Sequence, residues 1–212
     1  MSASDKQSNL TAGEKILLER WKSSKGIDQD AKVVGEPERL VEGRRLGAVM
    51  FTDMVGYTAL TQRDEILTLR ILEEHRRLLR PLFRKYEGRE IKTLGDGFMI
   101  EFPSALEAVQ CSLEIQLAVS NFNANRPPGE RFSLRIGIHL GDVIHKDNDV
   151  YGDAVNIASR VVPLCAPGSI CVTEQVYSQV KNRLDKPFVS MGKRKLKNVE
   201  TRVHVFSLSV QT

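Results

Sequence analysis

The 212-residue chain predicts an α+β fold, in which one antiparallel sheet built in the order βαββαβ is flanked by helices and extended by further αβ elements toward the C-terminus. Three observations predict it. Residues 46–51 (Leu-Gly-Ala-Val-Met-Phe) form a continuous apolar run that reads as a buried strand ending at Thr52-Asp53. Residues 90–93 and 97–102 alternate as two strands around a tight turn, Leu94-Gly95-Asp96-Gly97, where glycine supplies the backbone freedom a short hairpin needs. Helical periodicity then separates this hairpin from a further strand at 132–139. Strand, helix, strand, strand, helix, strand is the ferredoxin-like arrangement.

The remaining elements follow in order. The Thr11-Ala12-Gly13-Glu14 stretch has the capping-box pattern and opens a short helix with Ile16, Leu17 and Trp21 on one face. Gly26 stops it, and Gly35-Glu36-Pro37 continues a linker, so 1–43 reads as an extension and 44–212 as the main domain. A long helix is expected over 64–86, with Leu72, Leu79, Leu82 and Phe83 as its apolar stripe and a kink or break at Pro81. A second runs over 105–121, and Arg126-Pro127-Pro128-Gly129 ends that unit. Residues 141–150 read as a short excursion and 152–162 as a helix, before short strand, helix and strand segments.

Composition bounds the function. With 41% hydrophobic and 27% charged residues the chain can bury an ordinary core. The net charge of +4 is spread, its one dense run being Lys193-Arg194-Lys195 with Lys197, which suits a phosphate-bearing small molecule better than nucleic acid. Three cysteines without CxxC spacing point to the reducing cytoplasm. No apolar run is long enough to span a bilayer, and the polar first residues lack a signal-peptide core, so no membrane partner is expected.

Three short stretches carry the chemistry. Asp53 ends a buried strand and is followed by Met54-Val55-Gly56-Tyr57-Thr58, a glycine turn and a helix start; a carboxylate offers hard oxygen to a divalent cation, and turn amides suit phosphate. Asp53 could equally cap the turn, and Asp96 is also what a tight turn uses for its own sake. The element order makes their strands neighbours, and two converging carboxylates call for a cation between them. In 149–160 (Asp-Val-Tyr-Gly-Asp-Ala-Val-Asn-Ile-Ala-Ser-Arg), Asn156 and Arg160 are four apart on one helix face, with Ala154, Ala158 and Ser159 keeping that helix slim. An amide and a guanidinium so placed suit a sugar oxygen and a phosphoryl group, although Arg160 could instead pair with Asp153.

Phe51-Thr-Asp-Met-Val-Gly-Tyr-Thr58, Ile91-Lys-Thr-Leu-Gly-Asp-Gly97, Arg135-Ile-Gly-Ile-His139 and Tyr151-Gly-Asp-Ala-Val-Asn-Ile-Ala-Ser-Arg160 together resemble the class III adenylyl/guanylyl cyclase catalytic domain, in order and spacing, from about residue 46 to 208. The resemblance implies that Asp53 and Asp96, with the Met54 carbonyl, hold two divalent cations, Mg²⁺ or Mn²⁺. It implies that Lys92 and Asp149 read the purine, that Asn156 orients the ribose, that Arg160 stabilises the transition state, and that Val55, Gly56, Tyr57 and Thr58 line the triphosphate. Lys92 and Asp149 are the adenine-type pair: an ammonium donates to N1 and a carboxylate accepts from the N6 amine, whereas guanine reverses both edges. The implied activity is adenylate cyclase, ATP to 3′,5′-cyclic AMP and pyrophosphate by two-metal intramolecular phosphoryl transfer, at two sites shared across a homodimer. Guanylate cyclase activity and a catalytically silent nucleotide-binding regulatory module are the alternatives. The short segment between His139 and Tyr151 resembles the subclass with shortened dimer arms.

Overall fold

The computed structural model describes residues 43–209; the expected helix and linker before them lie outside the described residues. By proximity, 56–74 belongs to one compact unit, and 43–55 with 75–209 to another.

In the first of these, α1 (Tyr57–Arg63) starts from Gly56, whose φ of 76° is the left-handed conformation that glycine adopts without strain. Asp64 then interrupts the helix with an extended backbone, and its Oδ1 accepts from Leu67 N at 2.9 Å, capping α2 (Glu65–Lys85). The helix expected over 64–86 is α2, a single helix that runs past Pro81 without ending there, and α1 precedes it as a separate short helix.

The larger unit carries an eight-stranded sheet: β1 (Gly43–Met54), β2 (Arg89–Leu94), β3 (Gly97–Phe102), β4 (Leu134–Lys146), β5 (Asp149–Tyr151), β6 (Ser169–Thr173), β7 (Phe188–Arg194) and β8 (Val203–Ser209). Their spatial order is β2-β3-β1-β4-β6-β8-β7, with β5 paired to β4. The first four strands in that row are mutually antiparallel, as expected for the ferredoxin-like core. The sheet as a whole is mixed rather than antiparallel, because β4 and β6 pair in parallel. Helix α4 (Asp153–Val161) lies on the connection between them, and parallel neighbours require such a crossover. The excursion expected at 141–150 is a hairpin: β4 continues to Lys146, and Asp147 and Asn148, with φ of 50° and 59°, form the tight turn into β5.

Helix α3 (Ala105–Ala124) begins at Ser104, whose Oγ accepts from Leu106 N and Glu107 N. Its stripe of Ala108, Val109, Cys111, Ile115 and Val119 is buried. Gln116 in that stripe satisfies its amide on the carbonyls of Leu134 and Ser169. The other helix on the sheet, α4, approaches closely because β4 carries glycines beneath it: a Cβ at Gly137 would fall 2.8 Å from the Val162 side chain, and one at Gly141 3.1 Å from Ala154. The small residues Ala154 and Ala158 thus pack on the chain's own sheet. Helix α5 (Glu174–Val180) follows β6. No helix among the described residues is long and apolar enough to cross a membrane.

His75 on α2 is fully buried against Phe98 and Phe132, and neither ring nitrogen has a hydrogen-bond partner among the described residues. Burial, reinforced by the charges of Arg76 and Arg80, lowers its pKa to about 3. In the unfolded chain the imidazole titrates near its ordinary value of about 6.5. Below that pH the unfolded state binds a proton that the fold rejects, so stability declines by about 1.4 kcal/mol per pH unit from pH 6.5 toward 3. His75→Leu is expected to flatten this slope and to stabilise the protein at pH 7 by about 1–3 kcal/mol, since it removes an unpaired buried polar group. Urea unfolding of both proteins at pH 7 and 5 checks this; an unchanged slope would contradict it.

Candidate active site

Asp53 stands one residue from the end of β1, directly opposite Arg135 at the start of β4. Arg135 Nε donates to Asp53 Oδ2 at 3.0 Å and Nη2 donates to the same oxygen. Asp96 sits in the β2–β3 turn, where Gly95 adopts a left-handed φ of 68°. This turn is pressed against β1. A Cβ at Gly97 would come within 2.0 Å of the Thr52 carbonyl oxygen, and Thr52 Oγ1 accepts from Phe98 N at 3.0 Å. Only glycine permits that approach, and it brings the two carboxyls together. Burial raises the Asp96 pKa and the neighbouring Asp53 charge raises it further, opposed by its own amide, the Met54 amide and Arg135. Met54 is buried at the end of β1.

Among the described residues no three His, Cys, Asp or Glu side chains cluster as a metal cage. Two partly exposed carboxyls, the Asp96 one pushed toward protonation, offer hard oxygen of the kind a divalent cation takes alongside phosphate oxygen and water. In that sense the pair fits a divalent ion.

Val55 spends its N–H on the Ser133 carbonyl at 2.9 Å. Gly56, Tyr57 and Thr58 form the N-terminal turn of α1 in the unit 56–74; Gly56 and Thr58 are exposed.

A second group gathers elsewhere in the larger unit. Lys92 on β2 donates from Nζ to Asp149 Oδ2 on β5 at 2.7 Å, and Asp149 Oδ1 accepts from Val150 N at 2.7 Å. Burial works against the charge on Asp149, but the Lys92 hydrogen bond and the Val150 amide outweigh it and hold the carboxyl below the usual range. Beside them Arg89 donates to Asn148 Oδ1 in the β4–β5 turn at 2.9 Å. Past Gly152, α4 presents Asn156 exposed to solvent, and Arg160 Nη1 donates to the Asn156 carbonyl at 3.1 Å rather than to Asp153. The guanidinium therefore has no carboxylate partner among the described residues.

The sequence-derived residues thus fall into three groups, Asn156 and Arg160 lying together on α4. Asp53 and Asp96 lie together, Lys92 and Asp149 are in contact, and no hydrogen bond or ion pair among the described residues joins the first pair to Lys92, Asp149, Asn156 or Arg160. Arg135 is the residue that sequence reasoning left without a role. Its signal was a lone cation in the apolar strand Leu134-Arg-Ile-Gly-Ile.

Residues 45–209 match the family model for the adenylate and guanylate cyclase catalytic domain. A putative adenylate cyclase 3 from Rhizobium meliloti is 38% identical over 167 residues, covering 78% of this chain and 28% of that protein. A solved structure of an adenylate/guanylate cyclase/hydrolase from Silicibacter pomeroyi superposes with a TM-score of 0.72 at 37% identity, over 79% of this chain and 98% of the other. An adenylate cyclase structure from Trypanosoma brucei gives 0.67 at 25% identity, over 84% and 94%. The chain spans 28% of the Rhizobium protein and only 10% of a Schizosaccharomyces pombe adenylate cyclase that it also matches.

Proposed function

The chain belongs to the adenylate and guanylate cyclase catalytic domain family, and on that premise we propose that it converts ATP to 3′,5′-cyclic AMP and pyrophosphate at a site completed by a second copy of itself. The observation that carries the choice of ATP is the Lys92–Asp149 contact at 2.7 Å. It sets one cationic donor beside one anionic acceptor, the complement of adenine N1 and its N6 amine. Guanine would present an N–H to the ammonium and a carbonyl to the carboxylate, leaving both partly buried charges facing like partners.

The ribose 3′-oxygen attacks the α-phosphorus in line and pyrophosphate leaves. Asp53 and Asp96 would hold two divalent cations, Mg²⁺ or Mn²⁺, which when bound lower the pKa of the 3′-hydroxyl and offset triphosphate charge. Arg135 keeps Asp53 fixed and neutralised. Asn156, whose side-chain amide has no hydrogen bond among the described residues, orients the ribose. Arg160 turns its guanidinium to the charge that develops on the pentacoordinate phosphorus.

A second copy is inferred because no hydrogen bond or ion pair among the described residues joins the aspartate pair to Lys92, Asp149, Asn156 or Arg160. Head-to-tail pairing would place each set against its complement and yield two equivalent sites. Leu46, Ile144 and Tyr151 leave large apolar area exposed on β1, β4 and β5, surface of the kind a subunit contact covers.

Comparing ATP with GTP as substrate for the full chain tests the reading. ATP is expected to be strongly preferred, and Lys92→Ala or Asp149→Ala should each lower kcat/KM for ATP roughly tenfold to a hundredfold, the value of a lost hydrogen bond to a charged group. Equal use of GTP would favour the guanylate alternative.

A further inference from the structure

Resting on the reading of Lys92 and Asp149 as the purine pair, we propose that Glu101 and His145, braced by Arg45, are positioning residues that hold the β4–β5 hairpin so that Asp149 stays opposite Lys92. Glu101 is the next-to-last residue of β3, in an otherwise apolar run, Gly-Phe-Met-Ile-Glu-Phe, and its side chain is 4% exposed. His145, 1% exposed, lies on β4 directly across from Val150, the neighbour of Asp149. Its Nε2 stands 3.0 and 3.1 Å from the two carboxylate oxygens, so that nitrogen carries the proton and donates. Arg45 from β1 closes the other side, donating from Nε to Oε1 at 3.3 Å and from Nη2 to Oε2 at 3.1 Å.

The backbone is shaped to allow this. Glu101 crosses over β1 at Gly47, where a Cβ would meet Oε1 at 2.9 Å. A buried carboxylate is stable only when its oxygens are satisfied, so Glu101, His145 and Arg45 fix one another in place. The consequence is directional. Among the described residues, two side-chain bonds otherwise join 147–151 to β2, Arg89 to Asn148, which is exposed, and Lys92 to Asp149, which is partly buried. A purine that inserts between Lys92 and Asp149 breaks the second of these. The buried clamp is then what keeps the hairpin in register while the base is bound.

The test compares wild type with Glu101→Gln, His145→Gln and His145→Leu, all as full chains. Glu101→Gln and His145→Leu should raise KM for ATP roughly threefold to thirtyfold and weaken the ATP-over-GTP preference by a similar factor, with kcat little changed, as for a residue that acts through another. His145→Gln, which keeps a donor, should restore most of the loss. Amide hydrogen exchange should accelerate at 147–151 and not in β1. Should the single variants not fold, the paired Glu101→Leu with His145→Leu, of similar volume and apolar, carries the same comparison. A lowered melting temperature with unchanged KM and selectivity would overturn the proposal and leave a purely structural role. Lys92→Ala and Asp149→Ala separate the two layers: if these shift KM and selectivity but Glu101→Gln does not, the clamp fails and the purine reading stands; if they shift neither, the purine reading itself fails.

Discussion

Arg160→Ala is expected to lower cyclic AMP formation by about 10³-fold or more, the effect seen where an arginine stabilises charge in phosphoryl transfer. The loss should appear in kcat, because the guanidinium adds most when charge builds on phosphorus and little to ground-state binding. Its resting position supports this division. Among the described residues the guanidinium bonds to a carbonyl one turn back on its own helix and to no carboxylate, so it can swing to substrate without breaking an ion pair. Arg160→Lys should recover little, since an ammonium cannot reproduce the planar fork. Turnover of Mn²⁺-ATP under saturating conditions checks both variants, and a variant that loses affinity while keeping kcat would contradict the assigned role.

Much of the site was legible because its signals are local. The strand ending in Asp53, the Gly95-Asp96-Gly97 turn and the Asn156–Arg160 spacing each lie within a dozen residues, and turn chemistry or helical period places them directly. What could not be read depends on register between distant segments. Arg135 meets Asp53 across 82 residues, and nothing in the intervening sequence says which β4 residue faces it. Lys92 and Asp149 are 57 residues apart, and only the family resemblance paired them. The parallel β4–β6 pair was missed because element order fixes which strands occur but not the direction in which later additions join the sheet. Glu101, His145 and His75 were hidden for another reason. Each occupies a position whose period predicts an apolar side chain, so hydrophobic patterning registers them as noise when they are buried polar groups. The slim face of α4 was read correctly as a close-approach surface, and the approaching partner is the chain's own β4.

The shared site is the central claim, and it rests on Asp53 and Asn156 belonging to groups that no hydrogen bond or ion pair joins among the described residues. Asp53→Ala removes a carboxylate proposed to bind the cations and takes away the Arg135 partner, so cyclic AMP formation should fall to background. Asn156→Ala removes the ribose contact and should be nearly as inactive alone. Mixed after subunit exchange in equal amounts, half of the dimers contain one chain of each kind, and every such dimer has one complete site and one doubly defective site. Recovery to about a quarter of the wild-type rate is the expected result. No recovery on mixing, with both variants folded and dimeric, would contradict a site built from two copies.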